Sequence, residues 1–193
     1  MKNLLSGSDE CYYLEDFLNQ NEAFYLFEVL KKQVVWEHFH VSIFGKKVLQ
    51  PRLTALYGDQ LIHYKYSGKD LKAKTWLDSL NALKSLLENT FQISFNSVLC
   101  NYYRDGLDSM GWHRDNEKSL GTNPIIASLT FGAERTFILR HYFDKKLKKE
   151  ILLKNGSLLL MMGTTQTNWE HSIPKVRHQI GERINLTFRN IKM

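Results

Sequence analysis

On an extended chain, residues two apart point to the same side. In Gly111-Trp112-His113-Arg114-Asp115 this spacing lets His113 and Asp115 present an imidazole and a carboxylate to one point. A second imidazole, His171, stands in Trp169-Glu170-His171-Ser172. Two histidines and one carboxylate form the facial set of non-haem Fe(II) oxygenases, which leaves positions open for a cosubstrate and oxygen. His-x-Asp alone is a common pattern. The other histidines, His38, His40, His63, His141 and His178, lack a comparable carboxylate neighbour and read as surface or core residues.

The C-terminal run Arg183-Ile184-Asn185-Leu186-Thr187-Phe188-Arg189 adds weight to the metal reading. As a strand it puts Arg183, Asn185, Thr187 and Arg189 on one side and Ile184, Leu186 and Phe188 on the other. By itself the polar side reads as a solvated surface. Beside a metal set it suits a small dianion, because guanidinium pairs bidentately with carboxylate. Asn101 and Tyr103 share a strand face and offer further polar contacts.

These side chains need a frame. With 193 residues the chain is long enough for one domain with a proper core, taken here as 1–193. Apolar residues at 43% and charged ones at 24% exclude a disordered chain. The net charge of +6 suits a polyanionic partner. Cys11 and Cys100 are too few for a disulfide scaffold or a Cys-rich zinc module, and read as free intracellular thiols. No apolar run is long enough to cross a membrane, and Met1–Glu10 lacks the pattern of a secretory signal. Apolar spacing predicts helices over 21–34 and about 71–91. Period-two runs predict strands at 39–43, 98–103, 125–131, 136–141, 157–162, 169–173 and 183–190. The expected fold is α+β, mainly β: an antiparallel sandwich or jelly roll with helices outside. Periodicity does not choose between those two.

The chain also resembles a known family, the AlkB-type Fe(II)/2-oxoglutarate-dependent dioxygenases that repair alkylated nucleic acid. The resemblance rests on motifs in order: Phe44-Gly45-Lys46, Pro51-Arg52-Leu53-Thr54-Ala55, Tyr57-Gly58-Asp59, Tyr64-Lys65-Tyr66-Ser67-Gly68, Asn101-Tyr102-Tyr103, His113-Arg114-Asp115, Ser128-Leu129-Thr130-Phe131-Gly132, His171-Ser172-Ile173-Pro174 and Arg183 to Arg189. It implies a double-stranded β-helix (jelly roll), with a nucleotide-recognition segment at about 34–70 and the core at about 95–190. It implies Fe(II) on His113, Asp115 and His171, with 2-oxoglutarate and O2 as cosubstrates. Asn101, Tyr103, Arg183, Asn185, Thr187 and Arg189 would hold 2-oxoglutarate, with Arg189 on its distal carboxylate.

By the same resemblance Phe44, Gly45, Lys46, Tyr64, Lys65, Tyr66, Asn116 and Glu117 would contact substrate. Tyr64 and Tyr66 would stack on a base taken out of the helix. Asn116 and Glu117 would read its edge, and Phe44 would wedge into the gap it leaves. Tyr64-Lys65-Tyr66 also reads as an ordinary amphipathic strand, and Asn116-Glu117 as a solvated turn. Lys145, Lys146, Lys148 and Lys149 read as a phosphate contact or a solvated hairpin turn. Lys175-Val176-Arg177-His178 matches the basic loop of duplex-acting members only in part. The implied activity is oxidative demethylation of alkylated DNA, single- or double-stranded, such as 1-methyladenine and 3-methylcytosine, with release of formaldehyde. Such an enzyme is expected to be an intracellular monomer, cytoplasmic in a bacterium and nuclear in a eukaryote. The same chemistry on RNA, protein or lipid, or nucleic-acid binding without turnover, are the alternatives.

Overall fold

A computed structural model describes residues 1–43, 46–60, 62–66 and 69–192, without side chains at 41–43, 46–47, 63–66 and 69–71. The chain runs β1 (Asp9–Leu14), α1 (Gln20–Gln33), β2 (His40–Ile43), β3 (Lys46–Leu49), β4 (Leu53–Gly58), β5 (His63–Tyr66), β6 (Lys69–Lys72) and α2 (Asp78–Phe91). It continues through β7 (Ser97–Tyr103), β8 (Met110–His113), β9 (Ile126–Gly132), β10 (Arg135–His141), β11 (Lys148–Leu153), β12 (Leu158–Gly163), α3 (Thr165–Asn168), β13 (Trp169–Ile173) and β14 (Arg183–Arg189). Phe44 and Gly45, the expected wedge, lie outside the described residues.

Two antiparallel sheets face each other. The larger has the order β1-β12-β9-β14-β7-β4, and the smaller β11-β10-β13-β8. This is the jelly roll. The neighbours β2 with β3, and β5 with β6, form separate antiparallel pairs within the expected recognition segment.

Alternation along the central strands of the larger sheet makes two cores. Ile184, Leu186 and Phe188 of β14, Leu129 and Phe131 of β9, and Val98 and Cys100 of β7 face one side, against Leu30 of α1 and Leu80, Leu83 and Leu87 of α2. Leu99, Ile126, Leu159 and Met161 face the other, against Phe137, Leu139 and Ile173 of the smaller sheet. Both cysteines are free and buried, and burial pushes the Cys11 thiol up to about 12.

Helix α1 starts where its sequence caps it. The Asn19 side chain accepts from the Glu22 backbone N–H at 2.9 Å, and Glu22 returns the bond to Asn19 N–H at 3.3 Å. Helix α2 begins at Asp78, seven residues later than the apolar spacing predicts. The preceding backbone is already engaged: β6 pairs with β5, and Lys74 N–H donates to Leu56 O at 2.9 Å. Strands β1, β3, β4, β6 and β11 escaped the pattern. Lys148 and Lys149 belong to β11, so only Lys145 and Lys146 of that basic cluster sit in the turn.

Gly132 closes β9 with φ +83°, and a Cβ there would meet Glu182 O at 2.4 Å. That close approach sets the start of β14 beside the end of β9. Leu186 and Leu129 are paired across these strands and fully buried. Leu186→Ala should therefore cost about 2–5 kcal/mol, read as a lower midpoint in urea with an unchanged slope.

Candidate active site

The pairing of the smaller sheet brings the two histidines together. His171 of β13 sits opposite His113 of β8, and their rings meet edge-to-face at 4.2 Å. His171 also stacks on Phe137 at 5.1 Å. His113 Nε2 lies 3.9 Å from Asp115 Oδ1. The three residues offer one ligand atom each, all within 4.8 Å of one another.

Each ligand is oriented by a neighbour. His113 Nδ1 lies 2.9 Å from Gly111 O. Donation there fixes the tautomer and leaves Nε2 its lone pair. Asp115 takes its backbone bond from the α3 side: its N–H donates to Gln166 Oε1 at 2.9 Å. Its Oδ2 accepts from Arg189 Nη2 at 2.6 Å and Nε at 3.1 Å. Burial alone would raise the Asp115 pKa, but the charges of Arg189, His113 and His171 hold it below the ordinary carboxylate value. Burial and the neighbouring His113 push His171 down to about 3, so its imidazole is neutral.

Asp115 Oδ1 and His171 Nδ1 are buried with no hydrogen-bond partner among the described residues. A buried acceptor without a partner is costly. Two neutral imidazoles and a carboxylate around one point are a donor set for a divalent iron. The residues fit the metal.

The same cleft is lined by all six of the expected polar residues: Asn101, Tyr103, Arg183, Asn185, Thr187 and Arg189. The Arg189 guanidinium is held by Asp115, at the metal end of β14. Arg183, six residues away on the same face, donates Nη2 to Thr130 Oγ1 at 2.9 Å. Its Nε and Nη1 are buried without partners among the described residues. Burial, with the charge of Arg135 nearby, pushes Arg183 down to about 10. Asn185 donates to Ser128 Oγ at 2.7 Å and accepts from Thr187 Oγ1 at 3.0 Å.

The other expected residues are spread differently. Tyr64, Lys65 and Tyr66 form the backbone of β5, and Lys46 opens β3. Asn116 is exposed and Glu117 half-buried on the loop after Asp115, outside the cleft lining.

Sequence reasoning gave no role to Ser128, Thr130, Arg52 or Gln166. The first two were legible as the alternate residues of Ser128-Leu129-Thr130, facing Thr187 and Asn185 in the register of β9 and β14. Arg52 stood in a quoted motif, and donates Nε to Asn101 Oδ1 at 2.8 Å. Gln166 carried no signal.

A jelly roll with two histidines on its smaller sheet, a carboxylate on the loop that follows β8, and buried arginines on the facing strand has the make-up of an iron oxygenase of the 2-oxo-acid class. Comparison with known proteins agrees. Residues 10–189 match the model of the 2OG-Fe(II) oxygenase superfamily. The chain is 41% identical over 192 residues to alpha-ketoglutarate-dependent dioxygenase alkB homolog 3 of Mus musculus, covering 94% of this chain and 65% of that protein. It is 38% identical over 195 residues to DNA oxidative demethylase ALKBH2 of Homo sapiens, covering 94% of this chain and 73% of that one. The solved structure of OsALKBH1 shares the fold, with a TM-score of 0.70 at 14% identity, over 97% of this chain and 100% of that one. The chain belongs to the 2OG-Fe(II) oxygenase superfamily, and within it to the AlkB family. It spans 65% of the length of the mouse relative.

The family uses Fe(II), 2-oxoglutarate and O2, and His113, Asp115 and His171 are the group suited to the iron. His171→Ala should abolish detectable Fe(II) binding, a larger loss than the ~10–100-fold that outer-shell changes cost. Anaerobic calorimetry with Fe(II) measures it, with circular dichroism to confirm the fold.

Proposed function

We propose that this chain is a dioxygenase that removes alkyl groups from the ring nitrogens of DNA bases, 1-methyladenine and 3-methylcytosine among them. The observation that carries the reading is the shared cleft: a ligand set with a free buried oxygen, and a guanidinium with free buried donors, face one space. The names of relatives support DNA as the substrate, since one is a DNA oxidative demethylase.

Iron with 2-oxoglutarate and oxygen supplies the oxidation of the methyl carbon. The chain's own residues do the rest. Arg183 offers Nε and Nη1 to the distal carboxylate, and its neighbours Tyr103 and Thr130 fix the guanidinium plane. Asn101, Asn185 and Thr187 supply polar contacts along the same face. Arg189 holds Asp115 by one oxygen, which leaves the other for the metal. Tyr64 and Tyr66 stack on the flipped base, Asn116 and Glu117 read its edge, and Phe44, Gly45 and Lys46 meet the surrounding strand. Once hydroxylated, the N-methyl group is a hemiaminal. Its C–N bond breaks, releasing formaldehyde and the plain base. A DNA substrate places the protein inside the cell, with the chromosome.

Arg183→Met should raise the 2-oxoglutarate dissociation constant by ~10- to 150-fold, the loss of one charge-assisted contact worth about 1.5–3 kcal/mol. Calorimetry on the iron-loaded protein reads it. An unchanged constant in a folded variant refutes the role.

The function itself is tested by formaldehyde release from oligonucleotides carrying one defined lesion. Single-stranded DNA, duplex DNA and RNA are compared, with iron and 2-oxoglutarate omitted in turn. Release from DNA that needs both is the expected result. Release only from RNA, or none from any lesion, overturns the proposal.

A further inference from the structure

The outer face of the smaller sheet carries aromatic rings interleaved with cations. Trp112 of β8 lies next to the iron ligand His113 and, by the alternation of a strand, points to the opposite face. It is 40% exposed. The Arg140 guanidinium lies 3.9 Å from the centre of the Trp112 ring. Arg114 lies 3.8 Å from the centre of the Tyr142 ring, and the Lys145 ammonium 4.5 Å from the same ring. Phe143 stands edge-on to Tyr142 at 5.1 Å and is 74% exposed.

The cations are held in place. Arg114 donates to Thr167 O at 2.8 Å. Glu170 takes both Arg140, at 2.5 Å, and Lys145, at 2.7 Å. Arg140 and Lys145 thus share one carboxylate, Arg114 is tied to a backbone oxygen, and Lys146, Lys148 and Lys149 follow in the chain. A ring as exposed as Phe143 adds little to the fold through burial.

We propose that this face is a stacking track for an unpaired nucleic-acid flank beside the lesion. The inference rests on nucleic acid being the substrate. Single strands are held by aromatic rings and guanidinium planes that stack on bases, together with cations that follow the phosphates. Phe143 is the open ring, Arg140 and Arg114 are flat cations already laid on aromatic supports, and the lysines of the 145–149 segment meet the backbone. An acidic peptide would satisfy the charge and leave Phe143 without a partner. The route is short. Strand β8 ends the smaller sheet, so a chain leaving the cleft at His113 crosses one strand to reach Trp112.

The test separates the track from the chemistry. Binding of an undamaged, labelled dT 12-mer is measured by fluorescence anisotropy at low salt for wild type, Phe143→Ala and Phe143→Trp. Turnover of a trinucleotide bearing one lesion is measured in parallel. Phe143→Ala should weaken 12-mer binding by roughly 5- to 150-fold, the range for loss of one stacked base. Phe143→Trp should keep it, and trinucleotide turnover should stay at the wild-type level in both. Equal 12-mer affinity in wild type and Phe143→Ala overturns the track. So does an oligoglutamate peptide that binds wild type as tightly as the 12-mer and shows the same dependence on Phe143, which makes the face a protein-docking site. If Phe143→Ala loses the 12-mer while wild type releases no formaldehyde from any lesion, the track stands and the demethylase reading falls.

Discussion

Strand β14 is buried on both faces, and the faces answer to opposite demands. One must be apolar enough to seat the helices, and the other polar enough to serve a charged cleft. Period-two alternation meets both in seven residues: Ile184, Leu186 and Phe188 go one way, Arg183, Asn185, Thr187 and Arg189 the other. A slip of one residue would put two guanidinium groups into the helix-side core. Pairing on both edges, with β7 and β9, holds that register over the length of the strand. The rest of the architecture secures this alignment, because the site exists only while β14 keeps its phase.

Charge explains why the two arginines of β14 differ. A buried cation needs a partner or incurs a large desolvation cost. Arg189 has Asp115, and the pair is almost wholly removed from solvent. Arg183 has a hydroxyl from Thr130 and the ring of Tyr103, but no carboxylate in its hydrogen-bond set. Arg135, also buried, donates its Nη1 and Nη2 to the backbone oxygens of Asp105, Asp108 and Pro174, while its Nε has no partner among the described residues. Around Tyr103 the hydrogen bonds of these two guanidinium groups therefore run to a hydroxyl and to backbone oxygens, an excess of cationic donors on that side. That excess favours an anion at the Arg183 end and leaves the Arg189 end to the metal ligand.

Much of this was legible in the residues. The faces of β14 follow from alternation alone, and so does the convergence of His113 with Asp115. Which of the two arginines pairs with Asp115 was not legible. Both lie on one face, and spacing cannot say which end of the strand meets the metal. That depends on where the loop carrying Asp115 crosses β14. The start of α2 was misread for a related reason: apolar spacing continues upstream of Asp78, while the hydrogen bonds of Lys72 and Lys74 are spent on neighbouring strands. Strand β11 was hidden because its first half is Lys148, Lys149 and Glu150, and only pairing with β10 makes it a strand. Gln166 was invisible because its role comes from α3, a single turn wedged between β12 and β13.

The position of β8 has a consequence for colloidal behaviour. The free edge of a sheet is a template on which foreign strands can add, and long, regular edges are the dangerous ones. Here that edge is four residues long, and its pairing with β13 shifts register between His171 and Ile173. Gly111 interrupts its row of side chains, and the chain turns inward at Asp115 to meet Arg189. An incoming strand would find few successive amides in line. The irregularity that aims His113 at its partners also blunts the sheet against self-association.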